Sequence, residues 1–518
     1  MPALDLSQSP RRWPALAALT LSVLIVGLDG TVINVALPTI AGDLHTDSAQ
    51  LQWISGGYLL ALSVAMLPVG LLGDRYGHRR LLLSGIAVFG AASLVGSLAD
   101  SPTAVIAARA VLGLGAAAIL PLSMAILPRV FSKDEQPRAI AVWTAATALG
   151  MPVGPVVGGW LLNHFWWGSV FLFNVPVAVV ALAAGLWLLP RDAERTSAAP
   201  PFDTLGALLG GLGITALVYG TILISEDGWT APSVLASLSA AAALLAGFVV
   251  RERRFPHPLV DFALFGDRRF RWGTLIAVFV NFAVMGILFV VPQYLQSVLG
   301  NDAFGTGIRV LPLIGGLMLS AALSEFLLPR LGVRLVVTTG LLVLAAGVLF
   351  GATTGAADGY GFAAGWLGLT GLGFGLAVVP ATSLVLGTLP DHGTGSGTSL
   401  LETIQQLGSA LGVAGLGSLL SYGYLARLHT GRLPTSEADA ARDSVSDADA
   451  LAGQLHDAGL AVNAHASFVH GMSLVLLVCG VIALLGAGLA AAFLPRHAGA
   501  PGAGQVSGTV AEPAESIA

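Results

Sequence analysis

Apolar stretches of about twenty residues recur along nearly the whole chain, and no other feature constrains its folding so tightly. They fall at 14–37, 51–72, 81–99, 103–127, 138–161, 169–189, 204–224 and 232–250, then at 272–294, 306–328, 334–352, 362–387, 399–421 and 468–494. Each is long enough to carry a helix across the roughly 30 Å hydrocarbon core of a bilayer. Only 10% of the 518 residues are charged and 55% are hydrophobic, whereas a water-facing domain carries roughly 25% charged residues. The chain therefore faces lipid over most of its length. The N-terminal stretch after Arg11-Arg12 is too long for a secretory h-region and lacks a small-x-small cleavage site, so it reads as a permanent span.

Basic residues test the ladder. Fourteen spans place both termini on one side. Between spans, that side collects Arg75, Arg79, Arg80, Arg129, Lys133, Arg138, Arg191 and Arg195. After span 8 it adds Arg251, Arg253, Arg254, Arg268, Arg269, Arg271, Arg330, Arg334 and Arg496. The opposite side keeps only Arg309, Arg427, Arg432 and Arg442, beside Asp43, Asp47, Asp100, Glu226, Asp227, Asp302 and Asp358. By the positive-inside rule both termini are cytoplasmic. A single Lys beside 23 Arg suggests a bacterial source, and hence the bacterial inner membrane.

These spans predict an all-α polytopic protein. Residues 1–13 form a cytoplasmic N-terminus, 14–195 a six-helix bundle, and 204–250 an inserted pair of helices. A cytoplasmic loop at 251–271 leads to a second six-helix bundle at 272–494, which carries a polar, acidic outer loop at 422–466. A disordered cytoplasmic tail covers 495–518. The halves look duplicated: Arg75-x-Gly77-x-Arg79 follows span 2 and Arg330-x-Gly332-x-Arg334 follows span 10, where a repeat of six spans plus an inserted pair puts them. Glu325 is expected to pair with Arg330 or Arg334.

Four stretches carry mechanism. The loop from Gly70 through Gly73-Asp74-Arg75-Tyr76-Gly77-His78-Arg79 has the parts of a latch: Gly73 for close backbone approach, Asp74 to pair with an Arg across an interface, and Gly77 for a tight turn. Gly150-Met-Pro152-Val-Gly154-Pro155-Val-Val-Gly158-Gly159 gives one helix a smooth face for close packing and a proline kink. Asp29, in Leu28-Asp29-Gly-Thr31-Val-Ile-Asn34-Val-Ala36-Leu37-Pro38, is a carboxylate within a span, costly there unless it works by binding and releasing a proton. The alternative is a helix cap or a paired charge. Arg109 also lies within a span; it keeps its charge, so it needs a partner or a watered path.

Together these stretches resemble the signatures of the major facilitator superfamily, in its fourteen-span drug:proton antiporter branch. Leu112 stands where that pattern has Gln. The resemblance implies two six-helix bundles around a midplane cavity, proton coupling through Asp29 and Arg109, and a cytoplasmic latch of Gly73, Asp74, Arg75, Gly77 and Arg79. It also implies export rather than uptake, from the span-5 glycines and Pro155. Glu402, near the cytoplasmic start of span 13, is a candidate second proton site, or a carboxylate favoured by its helix N-terminus. Candidate cavity residues are Asn34, Trp53, Tyr58, Asn281, Gln293, Tyr294, Gln405 and Gln406, although Trp and Tyr near span ends also serve as interface anchors.

The expected partners are a small, hydrophobic or cationic drug or antibiotic, protons and lipid, with no nucleic acid. No Gly-x4-Gly-Lys-Ser/Thr phosphate loop is present, and Cys479 is the only cysteine, so neither ATP nor a Cys-based metal site is expected, and the proton gradient is the energy source. No catalytic constellation points to an enzyme. The rivals to drug efflux are export of an endogenous metabolite or siderophore, proton-coupled nutrient uptake, and a non-transporting sensor.

Overall fold

The computed structural model describes residues 12–132, 135–190, 203–256, 258–260, 262–356, 358–388, 394–430 and 433–495. The 495–518 tail and the connection at 191–202 thus lie almost wholly outside the described residues, as do the side chains of Asp74 and Glu325. Every regular element among the described residues is helical. In the first half these are α1 (Arg12–Leu44), α2 (Ser48–Tyr76), α3 (His78–Ser97), α4 (Pro102–Val130), α5 (Gln136–His164), α6 (Ser169–Leu172) and α7 (Asn174–Leu188). An inserted pair follows, α8 (Thr204–Asp227) and α9 (Pro232–Glu252). The second half has α10 (Arg268–Gln293), α11 (Ala303–Arg309), α12 (Leu311–Gly351), α13 (Tyr360–Leu386), α14 (Thr394–Arg427), α15 (Thr435–Asp443), α16 (Val445–Leu455) and α17 (Ala458–Phe493).

Thirteen helical segments are long and apolar enough to cross a membrane, counted over the described residues. The remaining expected span, 138–161, lies within α5, a helix of 29 residues. Prolines explain where single spans break. Pro176 cannot donate to Leu172, and the sixth span divides there into α6 and α7. Pro312 likewise separates α11 from α12, and a π-helical turn at Tyr294–Val298 follows Pro292. α12 contains two spans hinged at Gly332, whose φ of 76° leaves the helical region.

That hinge repeats an earlier one. Gly77, between α2 and α3, has φ 102° and ψ 129°, while Gly332 has φ 76° and ψ 162°. Both occupy the region that penalises a Cβ. The two Arg-x-Gly-x-Arg segments thus share a backbone turn as well as a sequence pattern, and both lie at the same end of the molecule. The 251–271 connection lies there too; we refer to it as the basic end. The opposite, acidic end carries Asp43, Asp47, Asp100, Asp302 and Asp358.

The halves meet along two seams. At one, α2 and α14 run side by side: Gly56 faces Val413 and Gly417 faces Gln52, while Leu67 and Leu71 share an apolar cluster with Leu400, Leu401 and Ile404 near the basic end. The inserted pair covers this seam. Gly211 of α8 packs on Val64, Tyr219 lies beside Trp53, and the Ser418 hydroxyl sits between the Thr221 carbonyl (2.9 Å) and the Gln52 side-chain oxygen (3.2 Å). At the other seam, α5 meets α11 at the acidic end. Asn163 donates to the Asp302 carboxylate, and the Phe304 N–H donates to Asn163 (3.3 Å).

The stretch at 422–466 is more ordered than a polar loop. α14 continues to Arg427, and α17 begins at Ala458, where the Asp457 carboxylate accepts from the N–H groups of Gly459 and Leu460. Between them α15 and α16 form a helical hairpin, with Ser444 capping α16 through the Asp447 N–H. Alanine-rich, capped segments favour helix without needing the hydropathy of a span.

Candidate functional site

Asp29 sits midway along α1 and is 4% exposed; Arg109, on α4, is 1% exposed. The sequence flags both, and the fold brings them together: Arg109 Nη1 donates to Asp29 Oδ2 at 2.5 Å. Asn174, at the start of α7, donates to the other carboxylate oxygen at 2.8 Å and approaches Ser93 Oγ at 3.4 Å. Arg109 Nε donates to the Ile54 carbonyl at 2.9 Å, and its guanidinium lies 4.3 Å from the centre of the Tyr58 ring. Tyr58 in turn reaches the Val26 carbonyl at 3.4 Å. Asn34 accepts from Ser55 at 2.9 Å, one more buried polar link between α1 and α2.

The result is a closed network tying α1, α2, α4 and α7 inside the first half. Both oxygens of Asp29 are satisfied, which lets a charge pair persist in an apolar interior; removing one partner of such a pair costs about 3–5 kcal/mol. Asn174 and Ser93 are absent from the motif reading. An amide within the apolar 169–189 stretch was the available signal, since polar groups inside a bilayer need partners.

The glycine helix α5 works on two faces. Gly150, Gly154 and Gly158 pack on α1 against Gly27, Thr31 and Val32, alongside the turn that holds Asp29. Gly159 and Pro155 instead face the second half, where Gly159 meets the Ala303–Phe304 backbone and Pro155 meets Gly307. Beside Pro155 lies a small apolar cavity lined by Val284, Leu288, Leu313, Ile314, Leu317 and Phe374 of the second half. α5 therefore connects the ion pair's helix to the seam.

The other expected residues divide. Glu402 is half-buried on α14 beside the Leu400–Leu401 cluster and makes no hydrogen bond or ion pair among the described residues; it is not part of the Asp29 network. Gln405 reaches Thr382 of α13 at 3.3 Å. Gln406 is half-buried, and so is Trp53 beside Tyr219. Asn281 and Gln293 bond to carbonyls of their own helix, Ala277 and Phe289. Tyr294 is fully buried with its hydroxyl unpartnered. At the basic end Gly73 packs on Leu122, the Gly77 N–H bonds to the Gly73 carbonyl at 2.9 Å, and Arg75 lies over Tyr76. Arg79 donates to the Leu186 carbonyl (2.7 Å) in the last turn of α7, where a cation suits the helix dipole.

Two helical halves that meet along two seams, with a buried ion pair between helices of one half, form the architecture of a polytopic membrane transporter. The chain belongs to the Major Facilitator Superfamily, whose profile matches residues 19–413. It is similar to the tetracenomycin C resistance and export protein of Streptomyces glaucescens, 35% identical over 93% of this chain and 91% of the relative. It is also similar to the multidrug efflux pump LfrA of Mycolicibacterium smegmatis, 31% identical over 92% and 95%. It thus falls in the branch that holds these proteins. Among solved structures, a bacterial homolog of the human lysosomal transporter Spinster shares the fold, with a TM-score of 0.64 at 17% identity, covering 93% of this chain and 98% of that one.

Proposed function

We propose that this protein exports small organic compounds, drugs or antibiotics among them, in exchange for protons, by alternating access between its two halves. The observation that carries the reading is the Asp29–Arg109 pair, set on the helix against which the glycine face of α5 packs. The names of the relatives, a resistance and export protein and a multidrug pump, support export as the direction. The basic end faces the cytoplasm.

Protonating Asp29 discharges the carboxylate and weakens its hold on Arg109. The guanidinium keeps the Ile54 carbonyl and the Tyr58 ring as alternative partners on α2. α1 and α4 can then shift relative to one another, and α5, packed glycine-to-backbone on α1, carries the shift to its contact with α11. Binding of a proton at one site thereby loosens or tightens the seam at the acidic end. Glu402, which makes no ion pair among the described residues, is the second carboxylate available for a proton or for a cationic substrate.

The energetics suffice. A charge moving inward through 100 mV yields about 2.3 kcal/mol, and one pH unit adds about 1.4 kcal/mol per proton. A 100-fold gradient of a neutral compound needs about 2.8 kcal/mol, so one or two protons sustain it. The test uses inside-out vesicles with a pH-gradient dye. Tetracenomycin-like and cationic compounds should each dissipate part of the gradient in wild-type vesicles and not in Asp29→Asn vesicles. Dissipation that survives Asp29→Asn would remove Asp29 from the coupling step.

A further inference from the structure

The α15–α16 hairpin belongs by chain order to the second half, and three contacts hold it there. Tyr424 of α14 donates to the Ala441 carbonyl at 2.7 Å, His465 of α17 pairs with Asp449 at 2.8 Å, and Ser446 lies 3.4 Å from Ser297. Its apolar side, Ala441, Val445, Ala448 and Ala452, is buried. The hairpin also crosses to the first half: Ser48, at the start of α2, donates to the Asp443 carbonyl at 2.8 Å, and α16 packs on α1.

Charge is arranged across the same junction. Asp443 interacts with Asp47 of the first half and with Asp447 and Asp439 of its own hairpin, while Asp447 interacts with His45 of the first half. Partial removal from water pushes the carboxyls of Asp443, Asp447 and Asp449 above the usual range. The acidic neighbours push Asp443 further, while Ser444 and His45 temper Asp447 and His465 tempers Asp449. Other charged groups at this end are Asp43 on α1, Asp358 before α13, Arg427 and His429 after α14, and Asp457 before α17. Within the hairpin, Arg442 is taken up by Asp439 at 3.0 Å.

We propose that the α15–α16 hairpin is an acid-responsive strap, which fastens the two halves together at the acidic end and lets go as the surrounding pH rises. Acidification discharges Asp443 opposite Asp47 and so removes a like-charge repulsion across the junction, which favours docking. The sign follows from the raised carboxyls: their contribution to docking is complete at low pH and lost as the pH rises through their raised values. The seam bond between Asn163 and Asp302 behaves oppositely. Its hydrogen bond from Asn163, with that from the Gly305 N–H, holds the Asp302 carboxyl below the usual range, so acid does not strengthen that contact. Of these two contacts between the halves, the strap is the one that gains from protonation. In a pump that takes protons from the acidic side, acid would thus help to reclose that side after release.

The strap rests on the alternating-access reading in one respect, that the acidic end must open during transport, and the experiment separates the two. Full-length protein in lipid nanodiscs carries spin labels at Gly42→Cys and Gly453→Cys, positions with open space around them, while Cys479 is buried. As the pH is raised from about 4 to 8, the ratio of the short, docked distance to longer ones should fall about tenfold for each unit by which docking raises a carboxyl. Asp443→Asn should keep the short distance at pH 8. A distance distribution independent of pH, or an Asp443→Asn protein that releases like wild type, overturns the strap. A second pair at Tyr76→Cys and Leu331→Cys reads the basic end. Motion there without motion of the hairpin would leave alternating access standing and the strap refuted; the reverse would keep the strap and remove alternating access.

Discussion

Gly159 and Gly150 stand nine residues apart on one helix, yet adding a methyl group to each should have opposite kinds of effect. A Cβ on Gly159 would lie 2.5 Å from the Ala303 carbonyl oxygen and 2.7 Å from Phe304 Cα, both backbone atoms of the second half. No side-chain rotation relieves that overlap, so the halves must part where α5 meets α11. Overpacking of this kind costs about 1–3 kcal/mol, and all of it falls on the state closed at the acidic end. Gly159→Ala should therefore shift the closed-to-open ratio by about 5- to 150-fold, with little change in thermal stability. A Cβ on Gly150 would instead lie 2.6 Å from the Gly27 carbonyl carbon and 2.8 Å from the Leu28 N, atoms of the same half that stay together in every state. Gly150→Ala should lower stability by about 1–3 kcal/mol and leave the ratio alone. Spin labels at Gly42→Cys and Gly359→Cys, on opposite halves at the acidic end, read the ratio, and thermal denaturation in nanodiscs reads the stability. A wild-type distance distribution in Gly159→Ala, or an equal shift in both variants, would refute the assignment of the two faces.

Other outcomes follow from the buried pair, the hinges and the inserted helices. Asp29→Asn should destabilise the protein by less than the roughly 3–5 kcal/mol of a fully stranded charge, because the Ile54 carbonyl and the Tyr58 ring still hold Arg109, and adding Arg109→Met should restore much of the loss without restoring transport; thermal melts beside the vesicle assay separate the two. Gly77→Ala and Gly332→Ala should each cost about 1–2 kcal/mol, because each puts a Cβ on a positive φ, and matched losses in melting temperature would show that the turns are equivalent. Burial alone would lift the Asp203 carboxyl, but the Arg251 guanidinium, 3.1 Å away, and the N–H groups of Gly206 and Leu205 hold it below the usual range. Its stabilising contribution is therefore complete above the unfolded value and lost only as pH falls through the depressed one. Melting temperature should show no Asp203-dependent change from pH 8 to 5, whereas Arg251→Gln should lower it throughout.

Much of this architecture is legible before any coordinates, because a bilayer admits few solutions: apolar length sets the helices and basic residues set their direction. What escapes is pairing at a distance in sequence. Asp29 and Arg109 each announce themselves as charges inside spans, but nothing local says that they meet, or that Asn174 completes the pair. The expected boundaries at 421 and 468 fall short of Arg427 and Ala458 because hydropathy ends where lipid ends, whereas a capped helix continues into water. The α15–α16 hairpin is hidden for the same reason; its polar composition reads as loop, while its alanine spacing and Ser444 cap specify helix. Tyr294 carries the polar tip expected of a cavity residue, but packing around the π-helical turn encloses it.

The matched turns at Gly77 and Gly332 impose a rule of parity on any growth of such a chain. Each turn belongs at the basic end, so the number of membrane crossings added between the duplicated halves has to be even. α8 and α9 are the smallest addition that obeys. A single extra helix would have carried the second half through the membrane upside down, placing Arg330 and Arg334 among the aspartates and turning two parallel copies into an antiparallel pair.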